Sequence, residues 1–488
     1  VSSFDRQRCG TWFLLALAVY FVLHIAVRVT LTDSLAMDEA EQALAFSHLQ
    51  LGYSTQPPLY TWLQWGMFTL FGFNVFALAL LKNLILFSLY AGVFFIARPL
   101  IGIGGAMAAS ASMIFIPEIA WESQRDLTHT VLLTAIACAT LWCYFRMLQK
   151  PTWARYALFG LLIGLGLLSK YNFTVFIGGL ACASLLVPEH RAIIWTRKIA
   201  IAAVIALLCI LPHGLWLLHN VDAASSGTLE KMREGVRPSY AHNLLRGFGS
   251  MMFGILDFLT PLWLIYAVIG RRYFRHATMD RHSPTARFFI WLYVVFFLLM
   301  SVILISGHIS NIKGRWLQHL LFFLPLIFFV MLPTLRCAVV YRNILRMAAA
   351  FAALILLAIP LRVQVGPLLH KYSRSHHPYP QLAKELAHRF PQANALVVGE
   401  KLAAGNLYFQ RPTMPTFNLD RLLGRHAGLH DEVLFVTPDA VGDGQLQHLL
   451  DAYPGSIVEK QGQLLVPYQK GRGDMMAFDY ALIRVGNR

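Results

Sequence analysis

Apolar segments long enough to cross a bilayer recur along the first three-quarters of the chain, and no other feature constrains the fold as tightly. A helix needs about 20 apolar residues to cross a hydrocarbon core about 30 Å thick. Eleven stretches approach that length, near 11–31, 76–97, 102–117, 127–147, 154–169, 172–187, 199–218, 247–270, 288–306, 317–334 and 344–361. Lipid offers no hydrogen bonds to an open backbone, so these segments are expected to be helices. Some are short, and two meet around Ser169–Asn172 without a clear loop, which widens the expected count to about 11–13. The first lacks a small-residue cleavage site and reads as an uncleaved anchor. The expected fold class is mainly α: a polytopic membrane protein with amphipathic helices in its first outer loop, followed by a small α/β C-terminal domain. Residues 1–361 form the expected transmembrane catalytic domain and residues 362–488 the soluble one.

Charge separates the same two parts. The chain carries 41 Lys and Arg against 25 Asp and Glu, a net +16, yet only 14% of its residues are charged and 57% are hydrophobic. A basic balance can signal nucleic acid, but so low a charge density beside Phe-, Leu- and Trp-rich runs points to lipid. A soluble enzyme, a disordered chain and a disulfide scaffold are excluded on the same grounds. The cysteines Cys9, Cys138, Cys143, Cys182, Cys209 and Cys337 lie in or beside apolar segments, so no disulfide framework is implied.

Short cytoplasmic loops collect Lys and Arg. Threading eleven spans with the N-terminus inside places 17 basic residues there, from Arg6 and Arg8 to Arg342 and Arg346, while residues 32–75 hold none. The tail after residue 361 then lies on the outer side, which in a bacterium is the periplasm. The acids run the other way. Asp33, Asp38, Glu39, Glu41, Glu118, Glu122, Asp126, Asp222, Glu230 and Glu234 all fall in outer loops. Any chemistry is therefore expected at the outer membrane surface.

The first outer loop is the most informative. In Leu35–Gln50, Met37, Ala40, Ala43, Leu44 and Phe46 recur at helical spacing, with Asp38, Glu41 and Gln42 on the other side. Gln56-Pro57-Pro58-Leu59-Tyr60-Thr61-Trp62 follows, and its prolines fix an extended turn with aromatics at headgroup depth. Solvated carboxylates are the plain reading of the acids here. The adjacent pair Asp38-Glu39 allows a second reading, since like charges held close raise one pKa and create a candidate base.

This order of span, Asp-Glu, interfacial helix and Pro-Pro-Leu-x-x-Trp resembles the polyprenyl-phosphate-sugar-dependent glycosyltransferases of the C-type membrane fold. That superfamily includes protein O-mannosyltransferases and the lipid A aminoarabinose transferase, and the residues look most like its lipopolysaccharide galacturonosyltransferase branch. One departure is Gln56, where the mannosyl and aminoarabinose branches often have a basic residue or His. The resemblance implies that Asp38 is catalytic, with Glu39 as neighbour or substitute and Asp126 as a second acidic position. It places donor phosphate contacts at Lys170, which interrupts a nearly uncharged stretch, and at Lys313 and Arg315. Arg suits a phosphate through its planar fork, and Lys as a point charge. The plainer alternatives are a helix-dipole role for Asp126 and snorkelling for Lys170.

Glu41, Gln42, Gln56, Tyr60 and Tyr171 complete the expected substrate-binding set. No cofactor is required, and a divalent metal on Asp38, Asp126 and Glu122 is optional. His24, Arg28, Lys82 and Asp257 lie within or near spans, where charges have partners or line a cavity. Lys231, Arg233, Arg237 and Arg246 belong to an outer loop that either contacts an anionic acceptor or is solvated. The C-terminal part alternates helical patterns (Leu382–Phe390, Glu400–Phe409, Gln445–Ala452) with extended ones (Ala395–Val398, Glu432–Val436, Ser456–Glu459, Phe478–Val485). It has no glycine-rich nucleotide loop, so it is read as a cap over the cavity, an acceptor holder or a stabilising lid.

The expected function is inverting transfer of a sugar from an undecaprenyl-type phosphate to lipid A, lipopolysaccharide core or protein. The expected place is the periplasmic face of a bacterial inner membrane, with membrane lipid and no nucleic acid as partners. A protein O-glycosyltransferase, a transporter or lipid flippase, and a noncatalytic envelope assembly protein are the alternatives.

Overall fold

The computed structural model describes residues 3–53, 55–221, 236, 239–275, 277–423, 428–438 and 444–486. Its helices fall on the apolar segments. Those used below are α1 (Ser3–Leu31), α2 (Met37–Ala45), α3 (Leu59–Phe71), α4 (Val75–Ala111), α5 (His129–Gln149), α6 (Trp153–Ser169), α7 (Phe173–Leu186), α8 (Ile199–His219), α9 (Tyr240–Phe274), α10 (Pro284–Ile305), α11 (Gln318–Met331) and α12 (Ala338–Val365). Among the described residues, seven helices are long and apolar enough to cross a membrane, and α6, α7 and α11 are shorter apolar helices. Trp12, Leu208, Phe253 and Leu357 leave well over half of their surface exposed. A soluble protein would hide such side chains, whereas lipid accepts them, and the chain is a multi-pass membrane protein.

The segments 76–97 and 102–117 join through one helix, α4, which is broken at Gly102 (φ 74°, ψ 173°). Only glycine takes that backbone conformation without steric cost, so it lets two spans follow each other without a loop.

The chain forms two compact units interleaved in sequence. One comprises Val1–Leu23, Gln50–Tyr60 and Lys82–Ile355; the other comprises His24–Leu49, Thr61–Leu81 and Leu356–Arg488. Within the first, glycines bring helix backbones close. A Cβ on Gly160 of α6 would sit 2.3 Å from the carbonyl oxygen of Ala202 in α8. One on Gly179 of α7 would strike the Phe296 ring of α10 at 2.2 Å. Lipid provides no hydrophobic drive between helices, so close backbone packing of this kind holds them.

The second unit is built on a five-stranded mixed sheet. Its elements are α13 (Tyr379–Arg389), β1 (Ala395–Val398), α14 (Lys401–Gln410), β2 (Thr416–Asn418), β3 (Glu432–Pro438), α15 (Gln445–Ala452), β4 (Ile457–Pro467) and β5 (Met475–Arg484). The strand order is β2-β1-β3-β5-β4, parallel from β2 to β3 and antiparallel from β3 to β4. Side chains alternate across the sheet. Leu396, Val398, Leu434 and Val436 face a core shared with α13, α14 and α2. Ala395, Val397, Val433 and Phe435 face Leu419, Leu422 and Leu449 on the other side. The strand Thr416–Asn418 and most of β4 lie outside the extended segments expected from sequence. Both are edge strands; β2 is only three residues long and β4 is largely exposed, so neither gives a sustained buried alternation to read.

Candidate active site

The helix carrying the Asp-Glu pair is fixed by its second carboxylate. Ala36 enters α2 with extended backbone, and its N–H donates to Glu39 Oε2 at 3.1 Å, satisfying one of the free donors at the helix start. Glu39 is 2% exposed, and the Arg28 guanidinium binds it with both arms, Nε to Oε1 at 3.2 Å and Nη2 to Oε2 at 2.7 Å. Arg28 also donates from Nη1 to the carbonyl of Thr32 at 2.7 Å and from Nη2 to that of Ser34 at 3.1 Å. One side chain thus ties the end of α1, the connecting strap and the start of α2. The adjacency of Asp38 and Glu39 in sequence suggested a like-charge pair. In the fold Glu39 is instead neutralised by Arg28, so its first partner is a cation. Asp38 and Glu41 are half-buried, and Gln42 is buried.

The first unit gathers the lysine and its surroundings. Lys170 closes α6 in extended conformation, and its Nζ donates to Thr130 Oγ1 at 2.8 Å. The buried imidazoles of His129 and His319 lie close enough to feel its charge. Tyr60, 1% exposed, sits with its ring 5.3 Å from that of His129. His319 Nε2 donates to the carbonyl of Asn172 at 3.1 Å, and among the described residues its Nδ1 has no hydrogen-bond partner. Both amide atoms of the fully buried Gln318 are likewise unpaired. Buried polar atoms in that state cost free energy, so the cluster is suited to a polar ligand. Sequence reasoning reached Lys170, Tyr60 and Tyr171 but missed His129, Gln318 and His319. Their signal was polar residues heading two otherwise apolar helices.

Tyr171 is held beside this cluster by a defined tautomer. His213 Nδ1 faces the carbonyl of Leu51 at 2.7 Å and must donate, so its Nε2 accepts from the Tyr171 hydroxyl at 3.2 Å. Burial pushes the Tyr171 phenol up to about 12. The same contact anchors the strand leading to Gln56. Tyr53 and Gln56 bond each other through both backbone groups at 3.2 and 3.1 Å, a tight turn that delivers Pro57-Pro58 to the start of α3. The expected extended elbow is therefore shorter, and a 13-residue apolar helix follows it at once.

Lys313-Gly314-Arg315 lies against a second group of acids in the same unit. Glu118 opens a π-helical turn, Glu118–Glu122, a local form that recurs at functional sites. Its Oε1 occupies the space beside Gly314, 3.0 Å from where a Cβ would be. Burial, reinforced by the charges of Glu122 and Asp257 and opposed by Arg315, pushes the Glu118 carboxyl up to about 7. Glu122 is paired with Arg125 Nη1 at 2.7 Å. Asp126, half-buried, ends the short helical turn Ser123–Arg125 that follows, its N–H on the Glu122 carbonyl at 3.0 Å.

Glu118 was thus legible as an acid but not as a neighbour of Asp257 and Arg315. Among the described residues no three His, Cys, Asp or Glu side chains gather as a metal site. Asp222, Glu230, Lys231, Arg233, Glu234 and Arg237 lie outside the described residues.

Of the expected site residues, Gln56, Tyr60, Glu122, Asp126, Lys170, Tyr171, Lys313 and Arg315 belong to the first unit. Asp38, Glu39, Glu41 and Gln42 belong to the second.

The sequence profile described as dolichyl-phosphate-mannose-protein mannosyltransferase matches residues 55–216. Two lipopolysaccharide core galacturonosyltransferases of Rhizobium johnstonii, RgtB and RgtA, are each 31% identical to the chain. RgtB aligns over 98% of this chain and 99% of its own, RgtA over 97% of both. The lipid A galacturonosyltransferase RgtD of the same organism is 27% identical over 57% of each chain. The fold matches that of ArnT from Cupriavidus metallidurans bound to undecaprenyl phosphate, with a TM-score of 0.54 at 13% identity over 98% of this chain and 99% of that one.

Proposed function

Because the chain belongs to the family of membrane glycosyltransferases that contains the rhizobial lipopolysaccharide core galacturonosyltransferases, we propose that it transfers a sugar from a polyprenyl phosphate to the lipopolysaccharide core. The sugar this reading favours is galacturonic acid, named for both full-length relatives. The setting is the periplasmic face of a bacterial inner membrane, with about eleven spans counting α4 as two.

The observation that carries the reading within the chain is Lys170. A lysine among buried polar side chains at the head of α5 and α11 is suited to bind an anion, and a lipid phosphate between helices is one. Neutralising that phosphate as it leaves is the main electrostatic task of the reaction. Lys313 and Arg315 form a second cationic station, fitted to the other anionic group of such a donor, the uronate carboxylate.

Asp38 takes the proton of the acceptor hydroxyl as the hydroxyl oxygen attacks the anomeric carbon. The bond from that carbon to the phosphate oxygen breaks on the opposite face, its electrons leave with the polyprenyl phosphate, and the anomeric configuration inverts. Glu39 positions Asp38 through α2, and Asp126, Glu41, Gln42, Gln56, Tyr60 and Tyr171 contribute to binding. No step is assigned to a metal.

The test is incubation of the purified protein with radiolabelled polyprenyl phosphate galacturonic acid and core lipopolysaccharide. Label should pass to the core, and Asp38→Asn should abolish steady-state transfer in a protein that still folds, leaving only a slow residual rate followed in single turnovers. Label that stays on the donor, or moves to protein, removes the lipopolysaccharide assignment. Near-parent turnover by Asp38→Asn removes the base.

A further inference from the structure

The C-terminal region bonds directly to the strap and helix that carry Asp38. A Cβ on Gly405 of α14 would lie 2.1 Å from the Ala40 carbonyl oxygen and 2.5 Å from its carbon. These are backbone atoms with no rotamer to yield, so any side chain at 405 pushes α2 away. One residue on, the buried Asn406 brackets Leu35. Its Oδ1 accepts the Leu35 N–H at 2.7 Å, and its Nδ2 donates to the Leu35 carbonyl at 3.3 Å and to the Leu402 carbonyl at 2.9 Å.

The strap before α2 is held in the same way. Thr32 Oγ1 donates to the Ser375 carbonyl at 2.9 Å and Ser34 Oγ to the His377 carbonyl at 2.8 Å, while Lys470 Nζ donates to the Leu31 carbonyl at 2.9 Å. The far end of α2 is seated by aromatic rings, Phe46 stacked on Phe73 at 5.0 Å and Phe73 tilted against Phe409 at 5.0 Å. Backbone contact, a bidentate amide and an aromatic seat fix α2 along its length, a more rigid placement than an interfacial helix needs merely to be stable. A base must be held within a fraction of an ångström and a few tens of degrees to act.

We propose that Gly405 and Asn406 are positioning residues of the glycosyl transfer: through α2 they set the location of Asp38, and the C-terminal region is part of the catalytic apparatus. This rests on the assignment of Asp38 as base. A shift of α2 by about 1 Å is expected to lower turnover about a hundredfold while leaving donor binding intact.

The experiment uses the full-length protein in lipid nanodiscs with polyprenyl phosphate galacturonic acid and core lipopolysaccharide, measuring kcat, donor KM and thermal unfolding. Gly405→Ala and the milder Asn406→Ala should cut kcat with donor KM within about twofold of the parent. A purely structural role would instead lower the amount of folded protein and leave the kcat of the folded fraction alone. In single-turnover reactions on an Asp38→Asn background, Asn406→Ala should add no further loss, because the group it positions is already gone. Folded Gly405→Ala with parent kcat overturns the proposal. If Gly405→Ala does not fold, parent kcat in Asn406→Ala overturns it equally, as does a full additional loss on the Asp38→Asn background. Should Asp38→Asn alone keep parent turnover, the base assignment falls, and the two kcat values still decide whether the placement of α2 governs the reaction.

Discussion

Two carboxylates sit beside arginines in this molecule, and they are held in opposite ways. Glu39 is buried, bound by both arms of Arg28 and by a backbone N–H. Glu118 faces Arg315 but also Glu122 and Asp257, and its carboxyl is pushed up to about 7 by burial and then by those acids. The first is a closed pair that fixes chain direction. The second is crowded with like charge, an arrangement that costs stability and stays open to a change of protonation or of partner. The fold thus sorts these two acids into a paired anchor and a crowded site.

The largest effect should come from breaking the closed pair. Arg28→Ala leaves Glu39 buried without its cation and frees the Thr32 and Ser34 carbonyls, a loss of about 3–5 kcal/mol. Thermal unfolding in detergent should show a markedly lowered Tm, or little folded protein. A Tm equal to the parent's would mean that the pair is not an anchor and that the contrast fails.

Lys170→Ala comes next, and it acts on turnover. Its loss should reduce kcat/KM for the polyprenyl phosphate donor by about a hundredfold to a thousandfold with the fold retained. Unchanged dependence on donor concentration would return Lys170 to a snorkelling residue. The two variants should therefore separate, one lowering Tm and the other kcat/KM.

What sequence could reveal follows from which forces are local. Lipid dictates length and hydropathy, so the apolar helices were readable, as was α2 from its apolar period. Ala395–Val398 was readable because it is buried on both faces. Contacts between distant residues were not. Arg28 belongs to the first apolar segment, 11 positions before Glu39, and nothing in the local pattern joins them. Asp257 lies in the middle of α9, far along the chain from Glu118. An acid inside an apolar helix announces that a partner exists without naming it. Gly405 and Asn406 gave no signal at all, since a glycine and an asparagine within a short helix read as weak helix formers.

The smallest effect should appear at Glu118, and its sign is fixed by the direction of the shift. The carboxyl moves from an ordinary 4.5 up to about 7, so the folded chain holds a proton that the unfolded chain has released. The contribution is full below about pH 4.5 and is lost as pH rises through about 7. With partial solvent screening, the parent should lose about 1–2 kcal/mol between about pH 5 and about pH 8 through this group. Glu118→Gln keeps the shape and the uncharged state at every pH, so its Tm should fall less than the parent's over that range. The neutral amide also relieves Asp257 and Glu122, which places the variant's advantage at the alkaline end. Parallel Tm curves for parent and variant would show that Glu118 does not titrate in this window. The crowded site would then be another closed one, differing from Arg28–Glu39 only in its number of partners.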